Sequence, residues 1–397
     1  MTEIFTGNFT QQEPIPDDAI EAALAVLHHG RLHRYNTAPG ELSETALLEQ
    51  EFATLTGAAY ALAVASGGYA LATALRAVGV GPGDRVLTNA FTLAPVPGAI
   101  ASVGAKPVFV GVTEHLTLDL EELERQADQA DVLMLSHMRG HICDMDRLAQ
   151  ICDERGLTLI EDCAHTMGGS WNGIASGRHG VVACYSTQTY KHINSGEGGF
   201  LITDDAKIAA RAVMLSGSYM LFERHLAAPP PEAFAELKYV TPNISGRMDN
   251  LRAAILRPQL RDLPRQIERW NERYRVLESG LRDTPGLRIV ERHSKEVYVG
   301  SSFQFLLLDW EEDKVVDVVT RCAARGVELK WFGTPEPHGF TSRYDSWRYA
   351  PGQSLPDSDR ILRGILDLRV PLTFSQEDCA LIARIVRAEV GAVWQGG

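Results

Sequence analysis

Leu157-Thr158-Leu159-Ile160-Glu161-Asp162-Cys163-Ala164-His165 is the stretch on which the reading of this chain turns. A short apolar run ends in two adjacent carboxylates, and a small-residue turn then closes on a histidine. Apolar residues in succession over Leu157–Glu161 predict a strand buried on both faces. Runs of the same kind lie to either side: Leu62–Ala65, Arg85–Thr88, Pro107–Gly111, Val132–Leu135, Val181–Tyr185 and Gly199–Thr203. Between them Tyr69–Val80 and Met145–Arg155 carry helical spacing, and Gly81-Pro82-Gly83-Asp84 is a stop signal. Strands alternating with helices predict an α/β fold built on an open, mainly parallel, seven-stranded sheet. Ligands of such sheets collect beyond the carboxyl ends of the strands, and Asp162 and Ser186 both fall at such ends.

The pattern changes after Asp204. Ala227-Ala228-Pro229-Pro230-Pro231-Glu232 is a loop by composition. Arg247–Leu281 reads as one long helical stretch, with Ile267, Trp270, Tyr274, Leu277 and Leu281 spaced 3, 4, 3, 4. Pro258 and Pro264 within it are expected to kink or divide it. A strand at Ser301–Leu308 and helices at Val315–Arg325 and Gln376–Glu389 then predict a smaller α+β domain. The expected division is 1–255, an N-terminal helix (Asp17–His29) with the large α/β domain, and 256–397, the long connecting helix with the small domain.

The bulk composition narrows the function. The 397 residues are 45% hydrophobic and 22% charged, ordinary for a globular protein with a substantial core. A net charge of −13 argues against nucleic acid or an anionic membrane as partner, so an anionic ligand needs a local positive site. No run approaches a membrane span, and the polar start Met1 to Asp18 is no signal peptide. Six cysteines without a C-x-x-C pair indicate neither a disulfide framework nor a zinc site, so a reduced, cytoplasmic protein is expected.

Of seven lysines, only Lys191 sits among the small polar and glycine residues of a ligand loop, in Ser186-Thr187-Gln188-Thr189-Tyr190-Lys191 and on to Gly196-Glu197-Gly198-Gly199. A lysine amine, an acid at a strand end and a serine five positions before the lysine are the groups that hold pyridoxal 5'-phosphate (PLP). Lys191 supplies the Schiff-base amine, Asp162 keeps the pyridine nitrogen protonated, and Ser186 offers a hydroxyl to the phosphate. Ser66-Gly67-Gly68-Tyr69 opens a helix directly after a strand, so unpaired N–H groups and the helix dipole suit the same phosphate. Taken alone that turn is as readily a plain strand-to-helix connection. His165 could be a satisfied structural histidine, but its convergence with Asp162 ahead of the Lys191 loop favours a place near the ring or its 3'-oxygen. His137 and His141 with Cys143 and Asp144 match known metal-ligand patterns only loosely, and no metal is expected.

These motifs, in this order, resemble the DegT-type sugar aminotransferases, a family of fold-type I PLP enzymes. The resemblance runs from Ala22 to about Val390. Its landmarks are Val80-Gly81-Pro82-Gly83-Asp84, Gly104–Phe109, Asp144-Met145-Asp146, Glu161–His165, Ser186 through Lys191 to Gly199, and Arg247-Met248-Asp249. It implies a homodimer with its site at the subunit interface, and transfer of an amino group from glutamate or glutamine to a keto-sugar or keto-cyclitol. Gln188 and Ser195–Gly199 are most similar to the aminocyclitol branch of antibiotic biosynthesis. Three positions depart from the family pattern. The phosphate turn is Ser66-Gly67-Gly68, without the family's threonine. The residue aligned with the aromatic that stacks on PLP is Leu93, with Phe91 two residues away. The asparagine that reaches the partner's phosphate has only Asn243, two positions early, as a counterpart. A dehydratase subgroup carries histidine where Lys191 stands, so transamination is favoured over lyase chemistry. A non-catalytic sensor on the same fold is a further alternative. A dinucleotide oxidoreductase ranks last, since no G-x-G-x-x-G follows the first strand. Substrate contacts are expected from the loops Gly30–Gly40, Gly217–Tyr239 and Trp331–Gly333.

Overall fold

A computed structural model describes residues 3–395; the extreme ends of the two expected domains, 1–2 and 396–397, lie outside it. The seven expected strands form one sheet: β1 (Tyr60–Val64), β2 (Arg85–Asn89), β3 (Lys106–Val110), β4 (Val132–Ser136), β5 (Thr158–Asp162), β6 (Val182–Ser186) and β7 (Gly199–Thr203). Their order is β1-β7-β6-β5-β4-β2-β3. β6, β5, β4, β2 and β3 pair in parallel, whereas β7 runs antiparallel to both β6 and β1. The cause is local. The segment 187–198 between β6 and β7 contains no crossover helix, so the chain must turn back beside the strand it has left. Thr187 N–H donates to the Gly198 carbonyl at 2.9 Å and Thr189 N–H to Gly196 at 3.1 Å, which carries the pairing out into the loop that bears Lys191.

Buried aliphatic side chains fill both faces of this sheet. Leu62, Val86, Met134 and Ile160 pack against the helix Gly67–Val78 on one face, and Leu87, Leu133 and Leu159 against Met145–Arg155 on the other. A second, wholly antiparallel sheet holds β8 (Arg288–Ile289), β9 (Ser302–Leu306), β10 (Lys330–Trp331) and β11 (Ile365–Arg369) in the order β8-β9-β11-β10. Its apolar core includes Phe303, Phe305, Val318 and Ile382 from the sheet and the helices Glu312–Ala324 and Gln376–Gln395.

The long helix starts later than the expected Arg247 and is not divided. It starts at Asn250, where the Asp249 side chain accepts the Arg252 N–H at 2.9 Å, and runs unbroken for 32 residues to Leu281. Pro258 and Pro264 lie inside it and do not divide it. Each proline forfeits one helical hydrogen bond, a local cost of about 3 kcal/mol. Burial of Ala253, Ala254, Leu256, Leu260 and Leu263, and packing against Asp17–His29, Glu44–Thr56 and Gln376–Gln395, offset that cost.

Candidate active site

The sheet's strand ends determine what faces the site. β5 closes on Glu161 and Asp162, and the alternation of a strand sends their side chains to opposite faces. Glu161 is fully buried away from the cavity, where it accepts N–H bonds from Gly177 (2.9 Å), His179 (2.8 Å) and Gly180 (2.7 Å) and contacts His137 Nε2 at 3.0 Å. Burial pushes its carboxyl upward, but the hydrogen bonds from His137 and the backbone win and hold it far below the usual range. Asp162 points instead into a cavity of about 450 Å³. There it accepts the Ser136 hydroxyl at 3.0 Å, from the end of β4, and the Ala164 N–H at 3.2 Å.

Lys191 enters the same cavity from the β6–β7 loop, with its Nζ 3.1 Å from His165 Nε2. Burial lowers the lysine's pKa to about 7; attraction to Asp162 opposes this, and repulsion from Arg139 adds to it. Asp162 is raised by burial, with Lys191 opposing. His165 is held neutral, well below its ordinary value, by burial and then by the Lys191 charge.

The turn after β1 lines the same cavity with Ser66, Gly67 and Gly68. Ser66 caps the helix by accepting the Tyr69 N–H at 3.1 Å, which leaves the N–H groups of Gly67 and Gly68 at the helix start for a ligand. Gly67 fits tightly, since a Cβ there would lie 2.8 Å from Ser186 Cβ and 3.3 Å from its Oγ. A glycine-lined helix start against a serine at a strand end has the donors and the space to receive a phosphate. With the buried Asp162 carboxylate and the Lys191 amine in the same cavity, these residues fit PLP.

The structure therefore brings Gly67, Gly68, Leu93, Asp162, His165, Ser186 and Lys191 to one cavity. Leu93 lines it, whereas Phe91 is buried elsewhere against Phe332, edge to face at 5.1 Å. The Tyr69 ring does not reach it: its hydroxyl donates to the Leu215 carbonyl at 3.1 Å. Asn243 is exposed, outside the cavity, and accepts the Ser245 N–H at 3.0 Å. The loosely matched metal residues are not brought together, since His141 contacts Gln304 at 2.8 Å and Asp144 caps the helix Met145–Arg155. His137, Glu161 and Cys163 do lie close together and buried, behind the sheet face that carries Asp162.

Sequence reasoning missed three cations beside Lys191: Arg139, Lys330 and Arg369. Arg139 follows β4 with φ 55, a left-handed backbone in the turn Met138–Gly140, and ion-pairs with the buried Asp367 at 2.8 Å. Arg369 stacks 3.5 Å over the Tyr190 ring. Only a buried arginine between a strand end and a glycine signals the first of these in sequence, and nothing local signals the other two.

Fold and site together define a PLP enzyme of fold type I. The chain belongs to the DegT/DnrJ/EryC1/StrS aminotransferase family, whose model matches residues 16–387. It is similar to the 3-amino-5-hydroxybenzoate synthase of Amycolatopsis mediterranei, 35% identical over 58% of this chain and 58% of the relative. It is 37% identical, over 42% of this chain and 40% of the relative, to the putative L-glutamine:3-amino-2,3-dideoxy-scyllo-inosose aminotransferase of Micromonospora echinospora. These sequence matches thus span about half of the relatives' length. The solved 3-amino-5-hydroxybenzoic acid synthase superposes with a TM-score of 0.82 at 25% identity, over 99% of this chain and 100% of that one. DesV of S. venezuelae does so with 0.79 at 26% identity, over 95% and 98%.

Proposed function

We propose that this protein is a transaminase that moves an amino group from glutamate or glutamine to a keto-sugar or keto-cyclitol, in amino-sugar or aminocyclitol antibiotic biosynthesis. The observation that carries the reading is the convergence of Lys191, Asp162 and His165 in one cavity, with lysine where the dehydratases have histidine. The names of the relatives above support the substrate class.

PLP, when bound, supplies an aldehyde for amine exchange and a ring that accepts electrons. Gly67, Gly68 and Ser186 would hold its phosphate, Leu93 would pack on the ring and Asp162 would keep the ring nitrogen protonated. Lys191 Nζ takes the proton from the donor Cα in the first half-reaction and gives one back to the acceptor carbon in the second. In the cofactor-free cavity burial already brings this amine down to about 7, in the direction that suits a group that must both take and give a proton. Neutral His165 accepts from the Lys191 amine and so orients it.

A homodimer completes the proposal. Asn243 lies in an exposed segment with Tyr239 and Val240, which are 79% and 74% exposed, and this apolar surface supports a partner subunit covering it. The separate apolar cores of the two sheets support a division into domains near residue 255. The buried, unpaired cysteines support a reducing, cytoplasmic location, and no described helix is long and apolar enough to cross a membrane.

The test is exchange of the α-proton of glutamate and glutamine with solvent deuterium by the holoenzyme, without acceptor. Wild type should exchange the α-proton of at least one donor, and Lys191→Ala should not. Exchange that survives in Lys191→Ala would remove the lysine from its assigned role.

A further inference from the structure

The second sheet places an unusual charge beside the site. Lys330 of β10 pairs in register with Asp367 of β11, and Arg369 lies two residues further along the same strand. Arg139 reaches the same place from the end of β4. Asp367, fully buried, is the carboxylate that meets this group, with one oxygen accepting the Gln304 amide at 2.7 Å and the other facing Arg139 at 2.8 Å. Of the carboxylates that line the cavity, Asp162 is met by Lys191 and Glu197 is exposed. Three cations therefore face the one carboxylate of Asp367, an excess of two positive charges within this group. Their polar atoms are underused. Lys330 Nζ and the Arg139 Nε and Nη2 are buried without hydrogen-bond partners among the described residues, so Arg139 touches Asp367 without hydrogen-bond alignment. Arg139 and Arg369 line the cavity, while Lys330 lies 5.3 Å from the ring centre of Phe340, another lining residue. Burial depresses Lys330 to about 8, with attraction to Asp367 opposing and repulsion from Arg139 and Arg369 adding, and burial lowers Arg369 as well.

Like charges crowded together around one buried arginine, with the other two half-buried, are costly unless an anion meets them. The phosphate cradle is built from Gly67, Gly68 and Ser186 and includes none of these three cations. We infer that Arg139, Lys330 and Arg369 form a carboxylate-binding subsite facing Lys191, and that the amino acceptor, like the donor, carries a carboxylate. The acceptor is included because the donor and the acceptor occupy one cavity in turn. A neutral keto-cyclitol would leave the two surplus cations without an anion during the second half-reaction. The guanidinium planes of Arg139 and Arg369 suit bidentate pairing with a carboxylate. The inference rests on the transaminase reading above and narrows its acceptor class to anionic cyclic ketones.

The experiment measures binding by calorimetry to the holoenzyme, in its PLP form and after conversion with the amino donor, and needs no turnover. The acceptor probes are 3-oxocyclohexanecarboxylate and its neutral amide, and the donor probes are L-glutamine and L-glutaminamide. The expected result is carboxylate over amide by at least about tenfold for both pairs, the difference charge-assisted hydrogen bonds make. Arg369→Leu and Lys330→Met should each shrink the preference in proteins that keep their fold by circular dichroism. Equal binding of the two ketones by wild type overturns the inference, and a preference confined to the donor pair assigns the subsite to the donor and overturns it too. Failure of glutamate and glutamine to convert the cofactor form would refute the transaminase reading separately, while the ketone comparison would still be read on the PLP form.

Discussion

Gly67 is the position where the site's geometry is least forgiving. A methyl group added there would sit 2.8 Å from Ser186 Cβ, roughly 1 Å inside ordinary carbon–carbon contact. Relief requires that the helix start or the end of β6 move, and both carry residues proposed to hold the phosphate. Overpacking of this order costs about 1–3 kcal/mol. Gly68, one residue on, is the control, because its added Cβ would meet only Pro95 Cβ at 3.8 Å. Gly68→Ala should therefore be neutral or slightly stabilising, since alanine exceeds glycine in helix propensity by up to about 1 kcal/mol. Gly67→Ala should lower apo stability in urea by about 1–3 kcal/mol and weaken PLP binding by about tenfold or more, with the two losses sharing one cause. Ser186→Gly removes the clashing carbon, so the Gly67→Ala/Ser186→Gly double variant should recover stability relative to the sum of the singles. Equal effects of the two alanine variants, or strictly additive losses in the double variant, would refute the cradle.

Lys191 gives a pH signature to the apo form. Its pKa falls from 10.5 in an unconstrained chain to about 7 when folded, so between those values the unfolded state binds more protons and the lysine's cost to stability shrinks as pH rises. Lys191→Met should thus be more stable than wild type near pH 7, with an advantage that fades toward pH 10 in paired urea titrations; a constant difference would contradict the buried amine. Glu49 is buried against Arg34 at 2.7 Å and His225 at 3.0 Å and accepts the Ala63 N–H at 2.9 Å. Glu49→Ala leaves Arg34 buried and unpaired and should cost about 3–5 kcal/mol in urea unfolding. A loss below about 1 kcal/mol would mean that the Arg34–Glu49 pair is solvated.

The large sheet was legible because each strand is a compact apolar run, and every observed strand lies within two residues of its expected limits. The direction of β7 was not legible, because an apolar run carries no sign and Gly199–Thr203 reads the same either way. The site was legible where its chemistry is concentrated in sequence: Asp162 with His165, and Ser186 with Lys191. The choice between Leu93 and Phe91 depended on which side chain the turn after β2 sends inward, and the phenylalanine packs on Phe332, far along the chain. Arg139, Lys330 and Arg369 were missed for a similar reason. They meet only when the second sheet docks against the first, and no local spacing encodes that meeting. The unbroken helix through Pro258 and Pro264 shows tertiary packing overriding a sound local rule.

The central claim is that Lys191 holds the cofactor and releases it to an amino donor. The absorbance spectrum of the purified protein, recorded before and after glutamate or glutamine, tests this most directly. The predicted result is a visible band of lysine-bound PLP that gives way to a near-ultraviolet band on addition of a donor. A protein that takes up no PLP, or a visible band that neither donor changes, would contradict it.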